Sequence, residues 1–187
     1  MLNYNSPIKE NKNYSDLTIK EIYPVMKLNI RGKKREFFTN VGKTLNMILP
    51  TEANTSTTSD KLTSIWLGPD EWMIFSNDII EKGDNNYELE NLLFSNISKN
   101  NFGSISDVTD QFVMLNLEGK KIFELLSSGC PFNFNEFKKK KGSSTQTILN
   151  HIDVIIHHND SNNVNLFVRR SFSEHLWSWI NDAASRL

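Results

Sequence analysis

DVTDQFVMLNLEGKKIFELLSSGCPFNF, residues Asp107–Phe134, is the stretch whose reading decides the fold. Phe112, Met114 and Asn116 alternate with Val113, Leu115 and Leu117, the period-two signature of a strand. Both faces of that strand are apolar enough to lie between two covering layers. Gly119 ends it. Ile122, Phe123, Leu125 and Leu126 then recur at helical spacing, and Gly129-Cys130-Pro131 closes the helix, glycine first and proline after. The stretch predicts one long strand, a tight turn, one amphipathic helix and a stop. The same pattern stands upstream. KLNIRGKKREFF (Lys27–Phe38) matches MLNLEGKKIFEL (Met114–Leu125), sharing Leu-Asn-x-x-Gly-Lys-Lys in register.

Outward from these two copies, the first predicts a strand over Tyr23–Ile30 and a helix from Lys34 to Met47, with Phe37, Phe38, Val41 and Leu45 on one face. Thr51–Asp60 is polar and of low complexity, an exposed loop. Leu62–Leu67 and Glu71–Ser76 read as a hairpin turned at Gly68-Pro69-Asp70. Trp66 and Trp72 flank that turn at equal distance, either paired or on opposite faces. Tyr87, Leu89, Leu92, Leu93, Phe94 and Ile97 form a helical stripe over Asn86–Lys99. In the second copy Thr147–Ile156 reads as one strand, Asn159–Asn163 as a turn and Val164–Val168 as its hairpin partner. A last helix spans Phe172–Ser185, with Ser171 and Glu174 spaced as a capping box.

The expected fold is therefore α+β, two similar strand-helix-hairpin-helix halves with antiparallel sheets covered by helices. Residues 1–22 are expected as a polar N-terminal arm, 23–103 as the first half and 104–187 as the second, closely packed as one unit. The 187 residues suffice for a real core. Hydrophobic residues make up 38% and charged residues 23%, with a net charge of -1, so no global field gathers nucleic acid or an anionic membrane. A single cysteine excludes an internal disulfide and suits a cytoplasmic location. The N-terminal stretch lacks the basic start and apolar core of a secretory signal, and no run reaches the roughly 20 apolar residues of a membrane span.

Candidate chemistry is sparse. Cys130 follows a helix C-terminus, where the macrodipole disfavours a thiolate, so it reads as a small buried residue. His151 and His157 stand too far apart on one strand to share a metal, His157 and His158 point to opposite faces, and a solvated strand end is expected. Asp107 and Asp110 fall on opposite faces of a strand, and Asp107 is expected in local turn hydrogen bonds. Lys138–Lys141 reads as a solvated loop rather than a nucleic-acid contact. Gly32 and Gly119 are isolated, with no phosphate-binding glycine motif around them. Arg169-Arg170 is placed to grip a carboxylate, in the chain or on a partner. No catalytic, cofactor-binding or metal-binding residue is assigned. Tryptophan and arginine are enriched at interfaces. Trp66, Gly68, Pro69, Asp70 and Arg170 are accordingly the expected contributors to a partner surface.

The blocks Trp66-Leu67-Gly68-Pro69-Asp70-Glu71-Trp72, Asp107-Val108-Thr109-Asp110, Leu117-x-Gly119, Gly129-Cys130-Pro131 and Arg169-Arg170-Ser171-Phe172, followed by Leu176-Trp177 and Asp182-Ala183-Ala184, resemble the gamma subunit of heterotetrameric sarcosine oxidase. The resemblance runs from about Pro24 onward. It implies a non-catalytic subunit of an enzyme that demethylates sarcosine to glycine with hydrogen peroxide, the methyl carbon leaving as formaldehyde or on tetrahydrofolate. It implies alpha, beta and delta subunits as partners, mainly alpha, and places FAD, FMN, NAD, zinc and tetrahydrofolate elsewhere in the complex. It also implies the folate-binding fold of aminomethyltransferases. Two rival readings are a stand-alone folate-dependent C1-transferase, for which no acid-bearing pocket assembles, and an iron-sulfur or tRNA-maintenance relative. The latter carry a Lys-Gly-Cys-Tyr-x-Gly-Gln motif, where this chain has Ser128-Gly129-Cys130-Pro131.

Overall fold

The computed structural model describes residues 5–8, 11–22, 24–59, 61–77 and 88–187. By contact the chain divides into two compact units, one gathering Pro24–Asp110 and the other joining Asn5–Tyr23 to Gln111–Leu187. The segment expected as a polar arm instead supplies strands β1 (Lys12–Tyr14) and β2 (Leu17–Ile22) to the second unit. Leu17 and Ile19 alternate inward and are buried in that unit's core, and the Tyr14 hydroxyl donates to Asn181 Oδ1 at 2.7 Å. Burial of two large aliphatic side chains, each stabilising by about 1.5–3 kcal/mol, outweighs the polar character of the rest.

The first unit runs β3 (Lys27–Arg31), α1 (Arg35–Leu45), β4 (Ser56–Thr58), β5 (Leu62–Gly68), β6 (Glu71–Ser76), α2 (Glu88–Leu93) and β7 (Ser104–Asp107). Its antiparallel sheet is ordered β4-β5-β6-β3-β7. Leu28 and Ile30 of β3, Phe37 and Val41 of α1, Trp72 and Ile74 of β6, and Leu93 meet in one core. Helix α2 widens into a π-helical turn over Phe94–Ser98, which seats Ile97 in the same core. The stripe expected over Asn86–Lys99 is thus helical from Glu88, while Asn86 and Tyr87 lie outside the described residues. Part of the Thr51–Asp60 loop is ordered as β4, because Ser56–Thr58 pair with Ile65–Thr63 of β5.

The second unit continues with β8 (Phe112–Glu118), α3 (Ile122–Ser127), α4 (Phe134–Phe137), β9 (Ser144–Leu149), β10 (Ile152–Asp160), β11 (Asn163–Arg169), a 3-10 turn (Arg170–Phe172) and α5 (Ser173–Ala184). Its antiparallel sheet is ordered β1-β2-β8-β11-β10-β9. With β3 equated to β8 and β7 to β2, the five strands of the first sheet follow the order of five of the six in the second, β1 being added at its edge, so the duplication holds at the level of topology. The leading strands are exchanged between the copies. β2 precedes β3 in the chain but pairs with β8, and β7 precedes β8 but pairs with β3.

That exchange breaks the long strand expected from Asp107. β7 ends at Asp107, whose Oδ1 accepts from the Thr109 backbone N–H at 2.8 Å, an Asx turn that redirects the chain before β8. The single strand expected over Thr147–Ile156 is likewise two strands. Asn150 and His151 take positive φ of 49° and 64°, making a two-residue hairpin turn between β9 and β10. The capping box does not form: Phe172 occupies the α5 N-cap, and Ser173 Oγ donates to the Arg170 carbonyl at 2.7 Å.

Glycine at 129 has a packing reason rather than a conformational one. Its φ is not positive, but a Cβ there would stand 2.4 Å from the Trp179 ring. No helix among the described residues is long and apolar enough to cross a membrane.

Candidate functional site

The tip of the β5–β6 hairpin carries four of the five expected interface residues. Trp66 and Trp72 are directly opposed in the register, so they share a face, and a bulge between Trp66 and Gly68 precedes the Pro69-Asp70 turn. Trp72 is the buried member. Its ring stacks edge-on to Phe38 at 5.4 Å and lies 5.8 Å from Phe37, and its Nε1 donates to the Pro50 carbonyl at 2.8 Å. Trp66 packs on the rim of this cluster and is only half-buried.

Charges surround the tip in balanced pairs. Arg31 reaches Asp70 at 3.6 Å and Glu71 at 3.8 Å, and Lys33 reaches Asp70 at 3.5 Å. Asn29 Nδ2 donates to Glu71 Oε1 at 2.7 Å, and the Gly32 N–H donates to the Asp70 carbonyl at 3.0 Å. Glycine is required at 32 because a Cβ would meet the Phe37 ring at 2.4 Å. The cations are mostly exposed, so these pairs hold the turn's orientation more than they stabilise the fold. Arg31 and Lys33 were not among the expected residues. The signal was Arg31-Gly32-Lys33-Lys34, a basic run immediately after a strand.

Arg170 stands in the second unit, apart in sequence and in sheet from the tip. Its guanidinium donates to the Asn5 carbonyl, and its backbone N–H donates to the Gln111 carbonyl at 2.8 Å. It therefore ties the start of the 3-10 turn to the chain ahead of β1 and to the start of β8.

The remaining candidates have structural duties. Thr109 Oγ1 accepts from the Lys27 N–H at 3.0 Å, and the buried Lys27 ammonium donates to the Val25 and Thr109 carbonyls, each at 3.2 Å. The Asp107-Val108-Thr109-Asp110 block is thus a clamp on a buried lysine. Asp107 makes the turn hydrogen bond expected of it. Cys130 is buried, its Sγ 3.5 Å from Thr147 Oγ1.

His151 is exposed in the β9–β10 turn, but His157 and His158 are not a solvated strand end. His157 and His158 do point to opposite faces of β10, but both are buried, because β10 lies inside the sheet between β9 and β11. His158 Nδ1 lies 2.9 Å from the Lys140 carbonyl, and its ring packs against Phe123 and Phe137.

The chain matches the sarcosine oxidase gamma subunit family over residues 32–186. It belongs to that family. A solved heterotetrameric sarcosine oxidase from Corynebacterium sp. U-96, in complex with pyrrole 2-carboxylate, is similar with a TM-score of 0.80 at 21% identity, over 91% of this chain and 84% of the other. The glycine cleavage system aminomethyltransferase T from Bartonella henselae is similar with a TM-score of 0.61 at 15% identity, over 88% of this chain and 45% of the enzyme. The gamma-family chain thus has the aminomethyltransferase-like α+β fold while spanning about half that enzyme's length. No curated protein matches the sequence.

Gly32 is closed by the Phe37 ring and Gly119 by the Asp16 carbonyl, rather than opening toward a phosphate. Among the described residues no three His, Cys, Asp or Glu side chains gather as metal ligands.

Burial of His157 yields a pH prediction. Desolvation, and then the neighbouring His158, push its pKa down from the usual 6.5 to about 4. The folded state therefore favours the neutral ring, and between those values the unfolded chain binds more protons. The contribution is complete above pH 6.5 and is lost as pH falls toward 4, at about 1.4 kcal/mol per unit. Urea unfolding at pH 7 and pH 5 is expected to show a stability loss roughly 2 kcal/mol greater in the native chain than in His157→Gln. Equal losses in the two proteins would contradict it.

Proposed function

We propose that this chain is a non-catalytic gamma subunit of a heterotetrameric sarcosine oxidase. In this reading it supports oxidative demethylation of sarcosine to glycine with hydrogen peroxide, the methyl carbon leaving as formaldehyde or methylenetetrahydrofolate. FAD, FMN, NAD and zinc belong to the other subunits, and the alpha subunit is the main partner. The observation that carries the reading is the family match across residues 32–186. It is supported by the duties of the polar side chains, since Asp107, Thr109 and Cys130 are all engaged in holding the fold.

The test is co-expression with the flanking genes of the source genome and purification through a tag on this chain. A yellow complex that consumes oxygen on addition of sarcosine is the expected result. A colourless, folded chain that purifies alone under those conditions would overturn it and favour the stand-alone folate-binding reading.

The residues proposed to meet a partner are Trp66 and the Gly68-Pro69-Asp70 turn in the first unit and Arg170 in the second. Trp66 supplies the aromatic anchor, because it is half-buried against its own core and leaves the rest of the indole for a partner. Trp66→Ala is expected to lower the yield of assembled complex about tenfold or more at limiting concentration, in line with the ~2 kcal/mol of an interface hot spot. Arg170→Ala is expected to lower it less, since part of that side chain serves Asn5. Unchanged recovery with both substitutions would remove these residues from the proposal.

A further inference from the structure

The second unit holds a groove of about 530 Å³ that the family reading leaves unused. Its lining is ordered by the strand register. Asp153 is opposite Ile148, and Arg169 is opposite Phe112. Val154 pairs with Val168 one step inward, which sets Asp153 and Arg169 across from each other on β10 and β11. One row of side chains therefore crosses four strands as Ile148, Asp153, Arg169 and Phe112. The next row on that face is Gln146, Ile155, Phe167 and Met114, the last three buried. Ile155 and Gln146 of that row line the groove, which carries two opposite charges at its middle and an apolar side chain at each flank.

Both charges are available. Among the described residues neither the Asp153 carboxylate nor the Arg169 guanidinium takes part in a hydrogen bond or ion pair, whereas the adjacent Arg170 is tied to Asn5. Ile148 is exposed although it is large and aliphatic.

We infer that this groove binds a small zwitterionic amino acid with an apolar side chain. The planar guanidinium of Arg169 takes the carboxylate in a bidentate grip, Asp153 takes the ammonium, and the side chain lies on Ile155 against Phe112 or Ile148. A simple anion is repelled by Asp153 and a simple cation by Arg169. Only a ligand bearing both charges close together satisfies the pair, and cross-strand neighbours about 5 Å apart converge on such a ligand. The inference rests on the groove and is independent of subunit assembly.

The test is equilibrium dialysis of labelled L-leucine, L-phenylalanine and L-proline against the full chain. Saturable binding of at least one of them is expected. L-leucinamide, which lacks the carboxylate, and 4-methylpentanoate, which lacks the ammonium, are expected not to displace it. Arg169→Gln and Asp153→Asn each remove one charge from an exposed position, so the fold is retained, as thermal unfolding would verify. Each is expected to weaken binding about tenfold or more. The inference is overturned if none of the three amino acids binds saturably, if either variant binds as tightly as the native chain, or if leucinamide competes as well as leucine.

Discussion

Gly119→Ala is expected to destabilise the second unit by about 4 kcal/mol or more. Gly119 has a φ of +134°, a region that L-residues with a Cβ hardly enter. The space is closed as well. A Cβ would stand 2.1 Å from the Asp16 carbonyl oxygen and 2.9 Å from Leu17 Cα, backbone atoms with no rotamer by which to withdraw. The Asp16 carbonyl is itself held, accepting from the Lys121 N–H at 3.3 Å, and Gly119 donates to the Asn162 carbonyl at 3.0 Å. Relief therefore requires shifting the β1–β2 turn, the start of α3 or the β10–β11 turn. Urea unfolding followed by circular dichroism checks this, with Gly42→Ala as the comparison. Gly42 lies within α1, where a Cβ meets nothing closer than 3.5 Å, so that change is expected to be neutral or to stabilise by up to ~1 kcal/mol. A Gly119→Ala chain within 1 kcal/mol of native would contradict the close approach.

That close approach also marks the limit of what could be read from the sequence. The repeat was legible because Leu28 and Leu115, and Gly32 and Gly119, occupy the same places in two copies of one pattern. Periodicity alone therefore placed β3, β8 and their helices. The purpose of the second glycine was not legible, because Asp16 comes from a segment with only Leu17 and Ile19 to declare it a strand. Strand exchange is a tertiary choice, made when β2 finds β8, and no local pattern encodes it. The Asn150-His151 turn was missed for a local reason. Histidine at positive φ is uncommon, and alternation through Leu149, Ile152 and Val154 continued as though the strand were unbroken. The burial of His157 and His158 followed from that error, since an extra strand places β10 inside the sheet rather than at an end. At the candidate interface, Gly68-Pro69-Asp70 with a tryptophan on either side was enough to locate the hairpin tip. Both tryptophans share one face, and which of them is fully covered depended on α1 delivering Phe37 and Phe38 onto Trp72, a contact that sequence distance concealed.

The two tryptophans should therefore separate stability from assembly. Trp72→Ala is expected to destabilise the first unit by about 3–5 kcal/mol, the range for deleting a large buried aromatic side chain. Trp72 is almost fully buried, both Phe37 and Phe38 lose their stacking partner, and the Pro50 carbonyl loses its indole donor. Trp72→Phe restores most of the ring and not the donor, so it should recover more than half of that loss. Trp66→Ala removes the half-buried partner from the same cross-strand pair and is expected to cost the isolated chain about 1 kcal/mol. Its larger effect should fall on complex recovery. Chemical unfolding of the isolated chain and yield of the co-purified complex, measured on all three variants, place each ring on one axis or the other. If Trp66→Ala destabilised the isolated chain as much as Trp72→Ala, Trp66 would belong to the core and its claim on a partner would fall. If Trp66→Ala lowered complex yield while leaving the unfolding midpoint nearly unchanged, the exposed part of its indole would be the part of this hairpin that the other subunits recognise.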